Sequence, residues 1–170
     1  MTIKKLLLMI GISTVTIPTI YGMDTQDLNQ FISYASCENC DLSGIDIAGS
    51  YYYGAYLRGS RLDQSNLERV DLRDADLANS SLIGSDLSYA SLQDVNLAGA
   101  DLRKATLRNS NLEEANLSST NLKNANFEGA NLRKVNFYKA KNLNLQGVTE
   151  DNLCEATLPN GEKLPDCSEY

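Results

Sequence analysis

The chain of 170 residues contains no histidine and no tryptophan, and only three prolines and three phenylalanines. Without histidine, neither a Ser-His-Asp triad nor a histidine-ligated metal site can be built. Carboxylate pairs occur only as repeated positions, and no pattern marks one as buried with the raised pKa of a general acid. We therefore expect a protein that is not an enzyme and that carries no cofactor.

Long apolar runs are also lacking, apart from one at the N-terminus. The stretch Leu6–Ile20 follows Lys4 and Lys5 and is interrupted by Ser, Thr and Pro. It is shorter than the roughly 20 residues of a transmembrane helix and is typical of a secretory signal peptide. We predict a signal peptide at residues 1–22, cleaved after Gly22, and export to the periplasm, the exterior or, in a photosynthetic source, the thylakoid lumen. An uncleaved anchor or a buried N-terminal helix is the alternative.

Positive charge is scarce, with 15 Lys plus Arg against 22 Asp plus Glu and a net charge of −7. This balance argues against nucleic acid as a partner. Within residues 40–140 the counts are 13 acidic and 11 basic residues, a net charge of only −2. Most of the net negative charge therefore lies in the flanking segments.

The chain does contain a five-residue repeat. Every fifth residue from 42 to 137 is large and apolar, and a mostly small or β-branched residue stands two positions before it. The series begins Leu42, Ile47, Tyr52, Leu57 and ends Leu132, Phe137. A period of five fits neither an α-helix nor a flat strand. It fits a short strand followed by a bend, in which the large position, called i below, and position i−2 point inward.

The pattern Ala-(Asp/Asn)-Leu, as in Ala75-Asp76-Leu77 and Ala115-Asn116-Leu117, resembles the pentapeptide-repeat family. The resemblance covers residues 40–140 and implies an all-β fold, a right-handed quadrilateral β-helix with four repeats per coil. Twenty repeats would then form about five coils. At about 4.8 Å per coil the rod would be about 24 Å tall, with residues 20 apart stacked on one another.

The flanks, residues 23–39 and 141–170, predict a cap at each end of the rod. Leu28, Phe31, Ile32 and Ala35 have helical spacing, which predicts a short amphipathic helix over the first coil. After the rod we predict a short helix within 149–155 and a hairpin at Pro159-Asn160-Gly161.

Four cysteines allow three disulfide pairings. Cys37 and Cys40 precede the rod, whereas Cys154 and Cys167 follow it. With about 24 Å between the ends, a pairing across the rod cannot meet the limit of about 7 Å between Cα atoms. We therefore predict the bridges Cys37–Cys40 and Cys154–Cys167, which export favours. An unbridged pair, or a redox or metal role for the C-x-x-C segment, is the alternative.

Four of the nine tyrosines fall within residues 51–56. Tyr52 takes an inward position, where its hydroxyl needs a partner. Tyr51, Tyr53 and Tyr56 are predicted to point outward on adjoining sides of the first complete coil. There they could stack on a glycan or anchor a protein partner; packing against the N-terminal cap is the alternative.

A weaker candidate site is a column of acidic residues. Asp74, Asp94 and Glu114 are 20 residues apart and would stack on one side of the rod. Such a column could recruit a cation or a basic partner. The alternative is a set of solvated corner residues relieved by Arg73, Arg133 and Lys134.

Taken together, these features predict an exported, monomeric module that binds a protein or glycan or has a structural role. Two alternatives remain. Some pentapeptide-repeat proteins mimic DNA and bind gyrase, but a nearly neutral rod and export argue against that function. A carbohydrate-active β-helix rests on fold analogy alone and would require a groove with two facing carboxylates.

Overall fold

The computed structural model describes residues 25–167, so the predicted signal peptide, 1–22, lies outside the described residues. The described chain has one α-helix, α1 (Thr25–Tyr34), and one 3-10 helix, η1 (Glu150–Leu153). Between these helices the chain alternates isolated β-bridges with two-residue turns.

The bridges have a constant register of 20 residues. Every fifth residue forms a parallel bridge with the residue 20 positions later, from Ser36↔Tyr56 to Asn121↔Lys141. Leu42 N donates to Arg61 O, and Arg61 N donates to Cys40 O, both at 2.8 Å. Because four bridging positions occur in every 20 residues, each turn of the chain has four sides. Four repeats per coil is the arrangement that the resemblance implied.

The core is one continuous column of inward side chains. The leucines at position i from Leu57 to Leu132 are at most 1% exposed, and the small residues at i−2 are buried as well. Most of the buried hydroxyls at i−2 donate to backbone carbonyls, as Ser85 Oγ does to Leu62 O at 2.6 Å. The predicted inward register of positions i and i−2 is therefore confirmed.

The corners share one backbone conformation. From Gly44 to Lys139, the residue at i+2 has a positive φ in every repeat, and the next N–H closes the turn, as when Ile45 N donates to Leu42 O at 3.2 Å. Most of the Asp or Asn residues at i−1 accept the N–H two residues on, for example Asp41 Oδ1 from Ser43 N at 3.1 Å. This is the local bonding expected of Asp and Asn beside a turn.

Each end of the column is covered. Helix α1 buries Leu28, Phe31 and Ile32 against the first coil, and Ala35 is partly buried. At the other end, Thr157 pairs in parallel with Asn136 and antiparallel with Lys163, which closes a hairpin around residues 159–161. The predicted N-terminal helix, the short C-terminal helix and the hairpin are therefore confirmed.

Candidate partner-binding surface at the N-terminal coil

The tyrosines of the first complete coil divide into one inward and three outward side chains. Positions 51 and 56 bridge to Asp71 and Asp76 below them, which directs their side chains away from the core. Tyr51, Tyr53 and Tyr56 are 84%, 64% and 60% exposed. These three residues, called the tyrosine surface below, are thus not buried beneath the cap helix.

Cap packing is carried by the inward tyrosine instead. The ring of Tyr52 stacks on Phe31 of α1, with 4.4 Å between the ring centroids. Its phenol oxygen is buried without a hydrogen-bond partner among residues 25–167. Burial disfavours the phenolate and raises the pKa of Tyr52 to about 12. The partner that the sequence analysis required for this hydroxyl is not found within the described chain.

Tyr53 is held by charged neighbours from the next coil. The Arg73 guanidinium carbon lies 5.8 Å from the centroid of the Tyr53 ring. The Arg73 side chain also donates two hydrogen bonds to the Asp71 carboxylate, at 2.9 and 2.6 Å. A hydrogen bond to the Asp74 carboxylate raises the pKa of the Tyr53 phenol. Tyr53 is therefore oriented, whereas no ring or charge contact of Tyr51 or Tyr56 is found among the described residues.

A shallow cavity adjoins the tyrosine surface on the cap helix. It has a volume of about 620 Å³ and is lined by Gln26, Asn29, Gln30, Ser33, Tyr34 and Ser36. Ser36 bridges to Tyr56, and Tyr56 N donates to Ala35 O at 3.0 Å. The cavity lining contains amides, hydroxyls and one aromatic ring but no charged group. This cavity was not predicted from the sequence, although all of its lining residues except Ser36 belong to the predicted helix.

The acidic column is present, but it is only partly neutralised. Lys134 Nζ lies 2.8 Å from Glu114 Oε1. The two arginines that were expected to relieve the column have other partners. Arg73 pairs with Asp71, and Arg133 donates to the Asp151 carbonyl. Burial, followed by the charges of Glu114 and Asp74, raises the pKa of Asp94. Within residues 25–167, the column provides no three carboxylates close enough together to hold one metal ion.

Both predicted cysteine pairs lie at disulfide distance. Cys37–Cys40 and Cys154–Cys167 each have 5.5 Å between Cα atoms, and no cysteine is left unpaired in the described chain. The N-terminal pair also lies against α1, because Cys37 Sγ is 3.3 Å from the Asp27 carbonyl oxygen. The neighbouring Asp41 N donates to Asp27 Oδ2 at 2.9 Å. The contact with Asp27 was not anticipated from the sequence.

In the part of the chain described here, no helix has the length and apolarity to cross a membrane.

Comparisons with known proteins agree with the repeat pattern. Residues 53–141 match the family model described as pentapeptide repeats, in overlapping segments 53–88, 71–109, 90–129 and 110–141. No curated protein gives a significant match to the chain.

The solved structures similar to this chain include two that are described as pentapeptide-repeat proteins. One comes from the Arabidopsis thaliana thylakoid lumen, with 26% identity, 82% of this chain and 86% of that chain covered, and a TM-score of 0.48. Another, Rfr23 from the cyanobacterium Cyanothece 51142, has 24% identity, 62% and 92% coverage, and a TM-score of 0.39. QnrB1, a plasmid-mediated fluoroquinolone resistance protein, has 20% identity, 62% and 64% coverage, and a TM-score of 0.39.

Proposed function

The chain belongs to the pentapeptide-repeat family, and we propose that it is an exported binding module that holds its partner on the tyrosine surface. Members of the family fold as right-handed quadrilateral β-helices and generally serve as structural or binding modules. Twenty repeats at four per turn give this rod about five coils. The two cysteine pairs suit an oxidising compartment.

The observation that carries the proposal is the exposure of Tyr51, Tyr53 and Tyr56 on one coil. Repeat packing needs none of them, since nearly all other repeats place Asp, Asn, Ser or Thr at the position of Tyr51 and Tyr56, and residues as different as Ser, Ala, Glu and Arg occur at the position of Tyr53. Cap packing does not need them either, because Tyr52 makes that contact with Phe31. Exposed tyrosines supply large contact areas at low conformational cost, and tyrosine is enriched in interfaces.

The surroundings favour a glycan as the partner. The cavity beside Tyr56 has an uncharged lining of amides and hydroxyls, which can exchange hydrogen bonds with sugar hydroxyls. The tyrosine rings would stack on the apolar faces of the sugars. A protein partner is the second candidate, favoured by the aromatic enrichment itself.

A DNA-mimicking function has less support. Such a surface needs many unpaired anions, whereas eight of the 13 acidic residues within 40–140 form an ion pair with an arginine or lysine. Examples are Arg58 with Asp76 at 3.0 Å and Arg61 with Asp41 at 3.0 Å.

The binding test uses two matched variants of the mature chain. The first carries Tyr51→Ser, Tyr53→Ser and Tyr56→Ser, and the control carries Tyr89→Ser and Tyr138→Ser, which removes exposed tyrosines elsewhere on the rod. An array of neutral and acidic oligosaccharides and affinity capture from the exported fraction are the assays. Binding that is lost in the first variant and kept in the control supports the proposal. Equal binding by the two variants places the site elsewhere.

Export is tested separately. N-terminal sequencing of the protein from its host should give a chain that begins near Met23. Recovery of an intact Met1 form from the cytosol would reject export without bearing on the tyrosine surface.

A further inference from the structure

One group of potential metal ligands lies under the cap helix, outside the tyrosine surface. A carboxylate oxygen of Asp27 and the sulfur atoms of Cys37 and Cys40 all lie within 4.8 Å of one another. It is the single such group of three His, Cys, Asp or Glu side chains in residues 25–167. Both cysteines are buried, and Asp27 is half-buried.

We propose that this group is a redox-gated metal site that takes Zn²⁺ when the Cys37–Cys40 bond is reduced. A dithiol reductant supplies two electrons and two protons, the S–S bond breaks, and the reductant becomes a disulfide. Zn²⁺ then displaces the two thiol protons and binds two thiolates and one carboxylate oxygen. Two sulfurs and one oxygen match the ligand preference of Zn²⁺, and water completes the fourth position.

The geometry requires only small movements. At a Zn–S distance of about 2.3 Å, two sulfurs in a tetrahedral site are about 3.8 Å apart. The cysteine Cα atoms are 5.5 Å apart, and rotation of the two side chains can open the sulfurs to that separation. The Asp41 N–H donates to Asp27 Oδ2 at 2.9 Å, which orients the carboxylate beside the two sulfurs.

The disulfide-bonded state and the metal-bound state join different segments of the chain. The disulfide joins residues three apart and does not include α1. A metal bound to Asp27 as well would join α1 directly to the first coil. The reduced, metal-bound state should therefore hold the cap more firmly than the reduced, metal-free state, because metal binding to the folded chain stabilises it.

The chain contains its own control. Cys154 and Cys167 have the same Cα separation of 5.5 Å, but no carboxylate joins them in a three-ligand group within the described residues. Reduction of that pair yields two thiols without the third ligand.

The experiment is a Cd²⁺ titration of full-length protein reduced with a phosphine, followed by thiolate-to-cadmium charge-transfer absorbance. Cys154→Ser/Cys167→Ser keeps the proposed site and should bind one Cd²⁺ per chain. Cys37→Ser/Cys40→Ser keeps only the control pair and should bind at least about tenfold more weakly, as should Asp27→Asn in the first background. Zn²⁺ should raise the melting temperature of the reduced chain and leave that of the oxidised chain unchanged.

Several outcomes would overturn the proposal. One is the absence of Cd²⁺ binding after reduction. Another is equal affinity at the two cysteine pairs, which does not depend on whether the Asp27→Asn variant folds. A third is unchanged affinity in a folded Asp27→Asn variant. None of these results affects the tyrosine surface.

Discussion

At the residue scale, Tyr52 fills an inward position that leucine fills in most other repeats. Its ring stacks on Phe31, but its hydroxyl is buried without a partner in the described chain. An unpaired buried hydroxyl costs about 1–3 kcal/mol. We therefore expect Tyr52→Phe to keep the ring contact and to raise the free energy of unfolding by about 1 kcal/mol in urea denaturation. A loss of stability would show that the hydroxyl is satisfied.

The same residue predicts an alkaline limit to stability. Burial raises the pKa of folded Tyr52 to about 12 from its usual value of 10.0. Between these values the unfolded state loses the phenol proton before the folded state does, so stability falls as pH rises, and below pH 10 the contribution is constant. Tyr52→Phe should show a shallower loss of stability between pH 10 and 12 than the wild type. Tyr89→Phe, at an exposed site, serves as the control, and equal slopes for the two variants would contradict the prediction.

The corner conformation predicts that glycine substitutions of two neighbouring lysines change the stability of the protein in opposite directions. Lys104 has a φ of 61°, whereas Lys123, whose carbonyl accepts the Lys104 N–H at 3.0 Å, is not among the residues with positive φ. A side chain in the left-handed region costs about 1–2 kcal/mol, which glycine avoids. Lys104→Gly should therefore stabilise the protein by up to about 1 kcal/mol, and Lys123→Gly should destabilise it by about 0.5–1 kcal/mol. Thermal unfolding of the two variants tests this prediction. If both substitutions shift the melting temperature in the same direction, the placement of Lys104 at a corner is contradicted.

At the element scale, the C-terminal disulfide joins the end of η1 to the segment after the hairpin. Its cysteines are 13 residues apart, whereas Cys37 and Cys40 are three apart. On loop entropy, loss of the longer bridge should cost about 3 kcal/mol and loss of the shorter one about 2 kcal/mol. We expect Cys154→Ser/Cys167→Ser to be the less stable variant when both proteins are oxidised. A larger loss from the N-terminal pair would mean that contacts with α1, and not loop length, dominate.

The caps also show which features a sequence can reveal. Helix α1 and the hairpin were predictable because spacing and turn residues are local signals. The contact of Asp27 with Cys37 and Cys40 was not, because it depends on how α1 docks on the first coil. The positive φ of bulky residues such as Arg69 and Tyr89 could not be predicted from the sequence for a different reason. Closure of a four-sided coil imposes that corner on every repeat, whatever the local preference of the residue.

At the scale of the whole molecule, each coil is stabilised mainly by its neighbours, as in other repeat proteins. The five-residue period was sufficient to predict the short straight segments, the bends and the buried column, because one inward position recurs without interruption. The four sides and the register of 20 residues were expected only from the resemblance to pentapeptide-repeat proteins. The period carries no information about a partner, since any polar residue at i−1, i+1 or i+2 leaves the column intact. Candidate sites can be recognised only where outward residues depart from the repeat, as Tyr51, Tyr53 and Tyr56 do.

Because the buried column is continuous, we expect polar substitutions at its centre to reduce the stability of the molecule more than substitutions elsewhere. Leu97 is 1% exposed in a middle coil, whereas Asn79 is exposed at a corner. Leu97→Asp would bury a carboxylate without a partner and separate the coils on either side, at a cost above about 4 kcal/mol. Asn79→Asp adds the same charge to solvent at a position whose φ of 58° suits aspartate, and should change stability by less than about 0.5 kcal/mol. Thermal unfolding followed by circular dichroism compares the two variants; comparable melting temperatures would show that the inward register is wrong.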